Sequence, residues 1–229
     1  MQAVPSPGST GAPWRILPFA VLVGLIAAGQ LLSSSSWREA LDWRWLTVGR
    51  GLAVGLVLAL TWRHFSELRP FRLAAGQLAA AVGLGLAVFG LWIVLDHGWV
   101  VIDAPAPGFV PLDAAGRLDP WLYGLRLAGF ALAVPVAEEL FWRSFLLRWI
   151  DKRRFLDMDP RNASLKAFAI CSALFALEHS QWLAGLVAGM IYTGLYTRTG
   201  NLWAPIVSHA ITNAALGIWI LASGRWPLW

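Results

Sequence analysis

Seven apolar runs, joined by short polar connections, leave this chain few ways to fold. They cover residues 14–32, 46–62, 73–95, 121–150, 167–177, 182–196 and 206–221. A helix that crosses the hydrocarbon core of a bilayer needs roughly 20 apolar residues, with a range of about 17–25. The first three runs meet that length. The fourth, as one helix, would be about 45 Å long at 1.5 Å per residue, so it must tilt, kink or project. Pro135 marks the expected kink. The last three runs are short or weakly apolar, as helices inside a bundle can be. Hydrophobic residues make up 58% of the 229 residues and charged residues 14%. Soluble domains are nearer 45–50% and about 25%. That excludes a water-soluble domain, and also a disordered chain, which needs low hydrophobicity and high charge. The expectation is an all-α polytopic transmembrane bundle of about seven spans, or eight.

A Pro-, Gly- and Ser-rich tail over residues 1–13 precedes a single integral-membrane domain over 14–229. No basic segment precedes the first apolar run, which argues against a secretory signal peptide. Residues 96–120 hold four Asp, four Pro and one Arg and read as an extramembrane loop. Segment 148–166 carries six basic residues, and segment 62–72 carries Arg63, Arg69 and Arg72. Basic loops face the cytoplasm, which places the N-terminus inside. The Ala-, Leu- and Arg-rich, Lys-poor composition is bacterial in style, so the expected location is the bacterial inner membrane. Arg50, near the start of the second run, must snorkel or pair. The net charge of +5 is scattered beside the apolar runs, so the bilayer, and no nucleic acid, is the expected partner. Fifteen Trp fit a membrane–water boundary. Cys171 is the one cysteine, so no internal disulfide exists. His64 and His97 lie at loop boundaries and read as surface residues.

Ionisable groups inside a transmembrane run cost about 2.5–3.5 kcal/mol each at the helix centre, so they are informative. Glu138 and Glu139 are adjacent, and Glu139 lies four residues before Arg143, on the same helix face. Glu139 can therefore be neutralised by Arg143. Glu138 faces elsewhere without a local partner, the setting of a general base. The bland alternative is a solvated helix end. Phe175 precedes His179 by four residues, with Glu178 beside it facing water at a helix end. The bland alternative there is an interfacial histidine. His209 and Asn213, again four apart, share one face and can donate to one oxyanion. They could equally hold helices together. Taken jointly, Glu138, His179, His209 and Asn213 resemble a base, a water-orienting group and an oxyanion pocket. If all spans were simple, these residues would sit at different depths.

Glu138-Glu139-x-x-x-Arg143, Phe175-x-x-x-His179 and His209-x-x-x-Asn213, in that order, resemble the CPBP intramembrane proteases, which include the CAAX prenyl endopeptidases and the bacterial Abi group. The resemblance covers about residues 121–215. The stretch 134–143 is also similar to CAAX-protease-related proteins found alongside bacterial exosortase systems. The resemblance implies a glutamate protease without metal or other cofactor. Glu138 would be the catalytic base, His179 would position the water, and His209 and Asn213 would stabilise the oxyanion. Glu139, Arg143 and Phe175 would support the site. The substrate would be a peptide or protein with a membrane-associated segment, and oligomeric state is not legible. Other readings are a zinc protease, although His-Glu-x-x-His is absent; a non-catalytic scaffold or peptide-toxin immunity factor; and a transporter, although no internal repeat is visible.

Overall fold

The computed structural model describes residues 11–33, 42–102 and 108–229. Most of the expected N-terminal tail and the middle of the acidic loop lie outside the described residues. The seven apolar runs form seven helices: α1 (Ala12–Ser33), α2 (Trp43–Thr61), α3 (Ala75–Val94), α4 (Pro120–Asp151), α5 (Leu165–Ala176), α6 (Trp182–Thr199) and α7 (Trp203–Ser223). Among the described residues there is no strand, only an isolated bridge between Leu112 and Leu118. The chain is all-helical.

Side chains set the helix ends. Asp42 caps α2 through the Arg44 N–H, and Asp119 caps α4 through the Trp121 and Leu122 N–H groups, with Pro120 in the first turn. Ser164 caps α5 through the Ala167 N–H. Five helices, α1, α2, α3, α4 and α7, are long and apolar enough to cross a membrane. The chain is therefore an integral membrane protein. The remaining two expected spans do not meet that standard. Helix α5 has 12 residues, about 18 Å against a hydrocarbon core of about 30 Å. Helix α6 carries Gly185, Gly189 and Thr193, which are buried against other helices.

Helices approach closely where side chains are absent. A Cβ on Gly85 of α3 would lie 2.4 Å from the Ser208 carbonyl of α7. A Cβ on Gly51 of α2 would lie 2.8 Å from the Gly129 Cα of α4. Small residues at such crossings let backbones pack without a hydrophobic driving force in lipid.

Helix α4 runs through the middle of this packing, and its backbone is not uniform. Wide π-type turns cover Gly129–Ala133 and Leu140–Leu147. In the first, the Val134 N–H donates to Gly129 O. The carbonyl of Phe130 would next pair with residue 135, but Pro135 has no N–H. The expected proline disturbance is thus present, and it frees a carbonyl facing the bundle.

A second feature was not legible in the sequence. Glu67, in the α2–α3 connection, turns inward. It accepts from Arg15 Nε of α1 at 3.0 Å, from Arg148 Nη2 of α4 at 3.0 Å, and from the Ser144 hydroxyl. Arg148 is therefore a buried partner of Glu67 rather than a free charge of the basic loop. Burial pushes the Glu67 carboxyl up. The hydrogen bond and charge of Arg15, with the Ser144 hydroxyl, outweigh it and hold the group at about 2 against an ordinary 4.5. A carboxyl depressed on folding contributes stability above its unfolded pKa and loses it as pH falls toward its folded value. The thermal midpoint of the detergent-solubilised protein should therefore decline as pH falls from about 4.5 toward about 2. Glu67→Gln should flatten that decline. An unchanged acid profile in the variant would remove Glu67 as its source.

Candidate active site

Helices α4 and α7 and the α5–α6 turn meet at a cavity of about 1150 Å³ lined by Trp92, Glu138, Glu178, His179, His209 and Asn213, among others. All four residues expected to carry chemistry face this one space. The depth mismatch disappears because α5 ends at Ala176, so His179 sits in a turn inside the bundle rather than along a full span. His97 is exposed, as expected, and borders the mouth of the cavity. His64 is remote from it and stacks on Trp14 at 3.9 Å.

The two adjacent carboxylates have separate environments, as helix periodicity requires. Glu139 and Arg143 are both fully buried, with Arg143 Nη1 3.1 Å from Glu139 Oε1. Arg143 also reaches the Gly189 carbonyl at 3.4 Å and lies over the Phe175 ring at 4.3 Å. Phe175 thus supports Arg143 from below and borders the cavity with another edge. Glu138 is buried, and its Oε2 has no hydrogen-bond partner among the described residues. The nearest cationic candidate is His209, whose Nε2 lies 4.0 Å from Glu138 Oε2.

His209 is fixed from the other side. Its Nδ1 lies 3.0 Å from Glu139 Oε1, and its ring stacks on Tyr192 at 4.9 Å. Because Glu139 can only accept, Nδ1 carries the hydrogen, and Nε2 points at the cavity. Arg143, Glu139 and His209 therefore form a line that ends at Glu138. Tyr192 is held in turn by Thr212, which accepts from the Tyr192 hydroxyl at 2.8 Å and donates to Gly85 O at 2.8 Å. His179 Nδ1 lies 2.9 Å from Phe175 O, which leaves its Nε2 free to accept.

Asn213 meets the carbonyl left open by Pro135: its Nδ2 donates to Phe130 O at 2.8 Å. A second Nδ2 hydrogen remains for the cavity. Sequence reasoning missed Tyr192, Trp142 and the hydrogen bond made by Glu178, while Glu178 itself is exposed, as expected. Trp142 Nε1 donates to Glu178 Oε2 at 2.9 Å, which ties the turn before His179 to α4. None of these carries a spacing signal. Tyr192 and Trp142 read as apolar residues, and Glu178 lies in a turn without periodicity. Among the described residues, no group of three or more His, Cys, Asp or Glu is placed to hold a metal ion.

Residues 120–215 match the family model described as type II CAAX prenyl endopeptidase Rce1-like. This part of the chain belongs to the CAAX protease family. The match begins with α4 and ends two residues after Asn213, so the CAAX-protease domain contains every cavity residue of the three motifs. No curated protein and no solved structure matches the chain. The CAAX-protease domain lies on α4 to α7, while α1, α2 and α3 pack around it through Glu67, Gly51 and Gly85. The family is one of proteases, which supports peptidase activity for residues 120–215, in a chain with five helices long and apolar enough to cross a membrane.

Proposed function

We propose that this chain hydrolyses a peptide bond with water activated by Glu138, without a metal. The buried, unpartnered carboxylate oxygen of Glu138, set 4.0 Å from His209 Nε2 in the cavity, carries this reading. Glu138 takes a proton from water, which His179 orients through Nε2. The resulting hydroxide adds to the scissile carbonyl. Glu138 then passes the proton to the departing amine. The developing oxyanion is bound by Asn213 and by His209. His209 enters the reaction with its second proton already taken from solvent, so that Nε2–H donates to the oxyanion throughout, and Glu139 at Nδ1 stabilises that imidazolium. The substrate is a peptide or protein with a membrane-associated segment. The seven helices form one membrane domain in a bacterial inner membrane, with the N-terminus in the cytoplasm.

Two duties of Asn213 can be separated by their size. One interhelical hydrogen bond in a membrane protein is worth on average about 0.6 kcal/mol. One oxyanion donor is worth about 2.7–4 kcal/mol. Asn213→Ala should therefore lower turnover by roughly 100- to 1000-fold while its unfolding midpoint in detergent scarcely moves. A normal rate would sink the oxyanion assignment.

The general test is cleavage of a quenched fluorescent peptide library by the detergent-purified protein. Activity should survive a metal chelator. Loss with the chelator, restored by zinc, would move the chemistry to a metal ion. A cellular phenotype that survives Glu138→Ala would favour a scaffold.

A further inference from the structure

The charged groups lining the cavity do not balance. Among the described residues, the side-chain acids lining it are Asp96, Glu138 and Glu178, and the one guanidinium is Arg225. Arg225 is taken by Asp96, which also accepts from Gln181 Nε2 at 2.9 Å. Arg143 is spent on Glu139 behind the wall. The histidine nearest Glu138 is anchored through its other nitrogen. Among the described residues Glu178 has one hydrogen-bond donor, the neutral indole of Trp142, on one of its two carboxylate oxygens, and feels the Arg143 charge only from a distance. An indole has a single N–H, so the second oxygen keeps its full accepting capacity.

The position of that oxygen is built, not incidental. Trp142 lies four residues after Glu138 on α4, one turn along the same face. It is buried, and its ring packs edge-on against Phe175 and Phe19. The Trp142 hydrogen bond thus holds Glu178 at a set place beside Glu138 and immediately before His179. Glu178 remains exposed, but the clamp fixes which way its carboxylate points.

We infer that Glu178 selects a basic side chain, lysine or arginine, close to the scissile bond of the peptide substrate. This inference rests on the proposed peptidase reading and narrows its substrate class. The ammonium or guanidinium of the peptide would pair with the open oxygen of Glu178, and the peptide backbone would pass across Glu138. Glu178 is exposed at the cavity wall, so the pair acts by complementary charge beside the site, where a matched sign steers the correct substrate and a like charge is repelled.

The test uses the full chain in detergent and two readouts. In the first, fluorescent peptides with a membrane-compatible apolar segment and either Lys, norleucine or Glu scanned through the flanking positions are bound to the Glu138→Gln protein. The Lys peptide should bind at least about tenfold more tightly than norleucine at one or two positions, a ratio corresponding to about 1.4 kcal/mol. Adding Glu178→Gln, which keeps an oxygen for Trp142, should reduce that ratio to about one. Glu178→Lys should favour the Glu peptide. Equal binding of Lys and norleucine peptides, or a preference that persists in Glu178→Gln, would overturn the inference. In the second readout, kcat/KM of the protein with native Glu138 is compared over the same peptides. Cleavage without a basic preference would overturn the inference and leave the peptidase reading intact. A basic preference in binding with no cleavage of any peptide would do the reverse.

Discussion

Glu138→Gln is expected to lower peptide cleavage by roughly 10²- to 10⁴-fold, the range of a positioned general base, with the bundle intact. The substitution changes one oxygen into an amide nitrogen at nearly constant volume. It removes the ability to take a proton from water and little else. Glu138 makes no ion pair that folding depends on: its Oε2 has no partner among the described residues and lies 4.0 Å from His209 Nε2. Removing a costly buried carboxylate should leave stability unchanged or slightly raised. The combination is diagnostic. A residue that matters only to packing would lose stability and activity together. Turnover and the unfolding midpoint measured on one preparation decide the matter. A rate within a few fold of the original would exclude Glu138 as the base.

The contrast between Glu138 and Glu139 is legible in the sequence, because a helix repeats every 3.6 residues. That alone paired Glu139 with Arg143, and the structure shows the pair at 3.1 Å with both side chains fully buried. The apolar runs likewise located all seven helices. Depth was not readable. It depends on where a helix stops, and α5 stops after 12 residues, which turns His179 into the cavity. Nor could the sequence reveal that Pro135 and the wide turn before it leave Phe130 O for Asn213, since a π-type turn has no residue pattern of its own. The partners of Glu67 and Glu178 were not legible for a common reason. Both lie in connections, where no periodicity predicts direction, and both find their partners on α4. Glu178 stays exposed, but Glu67 shows that a connection that looks solvent-exposed by composition can supply buried charge to a membrane domain.

Arg143→Ala should destabilise the protein by about 3–5 kcal/mol, the cost of leaving one member of a buried ion pair behind. Glu139 would remain fully buried, with the His209 imidazole 3.0 Å away as its remaining hydrogen-bond partner among the described residues. The loss also removes the guanidinium from above Phe175, at 4.3 Å, and from Tyr192, at 5.5 Å, the ring that stacks on His209. Lysine cannot restore this arrangement, because an ammonium lacks the planar fork that serves Glu139, Gly189 O and two rings together. Arg143→Lys should accordingly fall between wild type and Arg143→Ala. The decisive variant removes both partners. Replacing a buried pair by apolar residues of similar size is often neutral or stabilising, so Arg143→Met with Glu139→Leu should recover most of the stability lost in Arg143→Ala. Cleavage should not recover with it, because His209 Nδ1 would have lost the carboxylate 3.0 Å away that holds its ring and supports its charge. Denaturant unfolding followed by tryptophan fluorescence gives the first quantity and peptide turnover the second. Full activity in the double variant would reduce Glu139 to a counter-ion of Arg143 and take His209 out of the line that ends at Glu138.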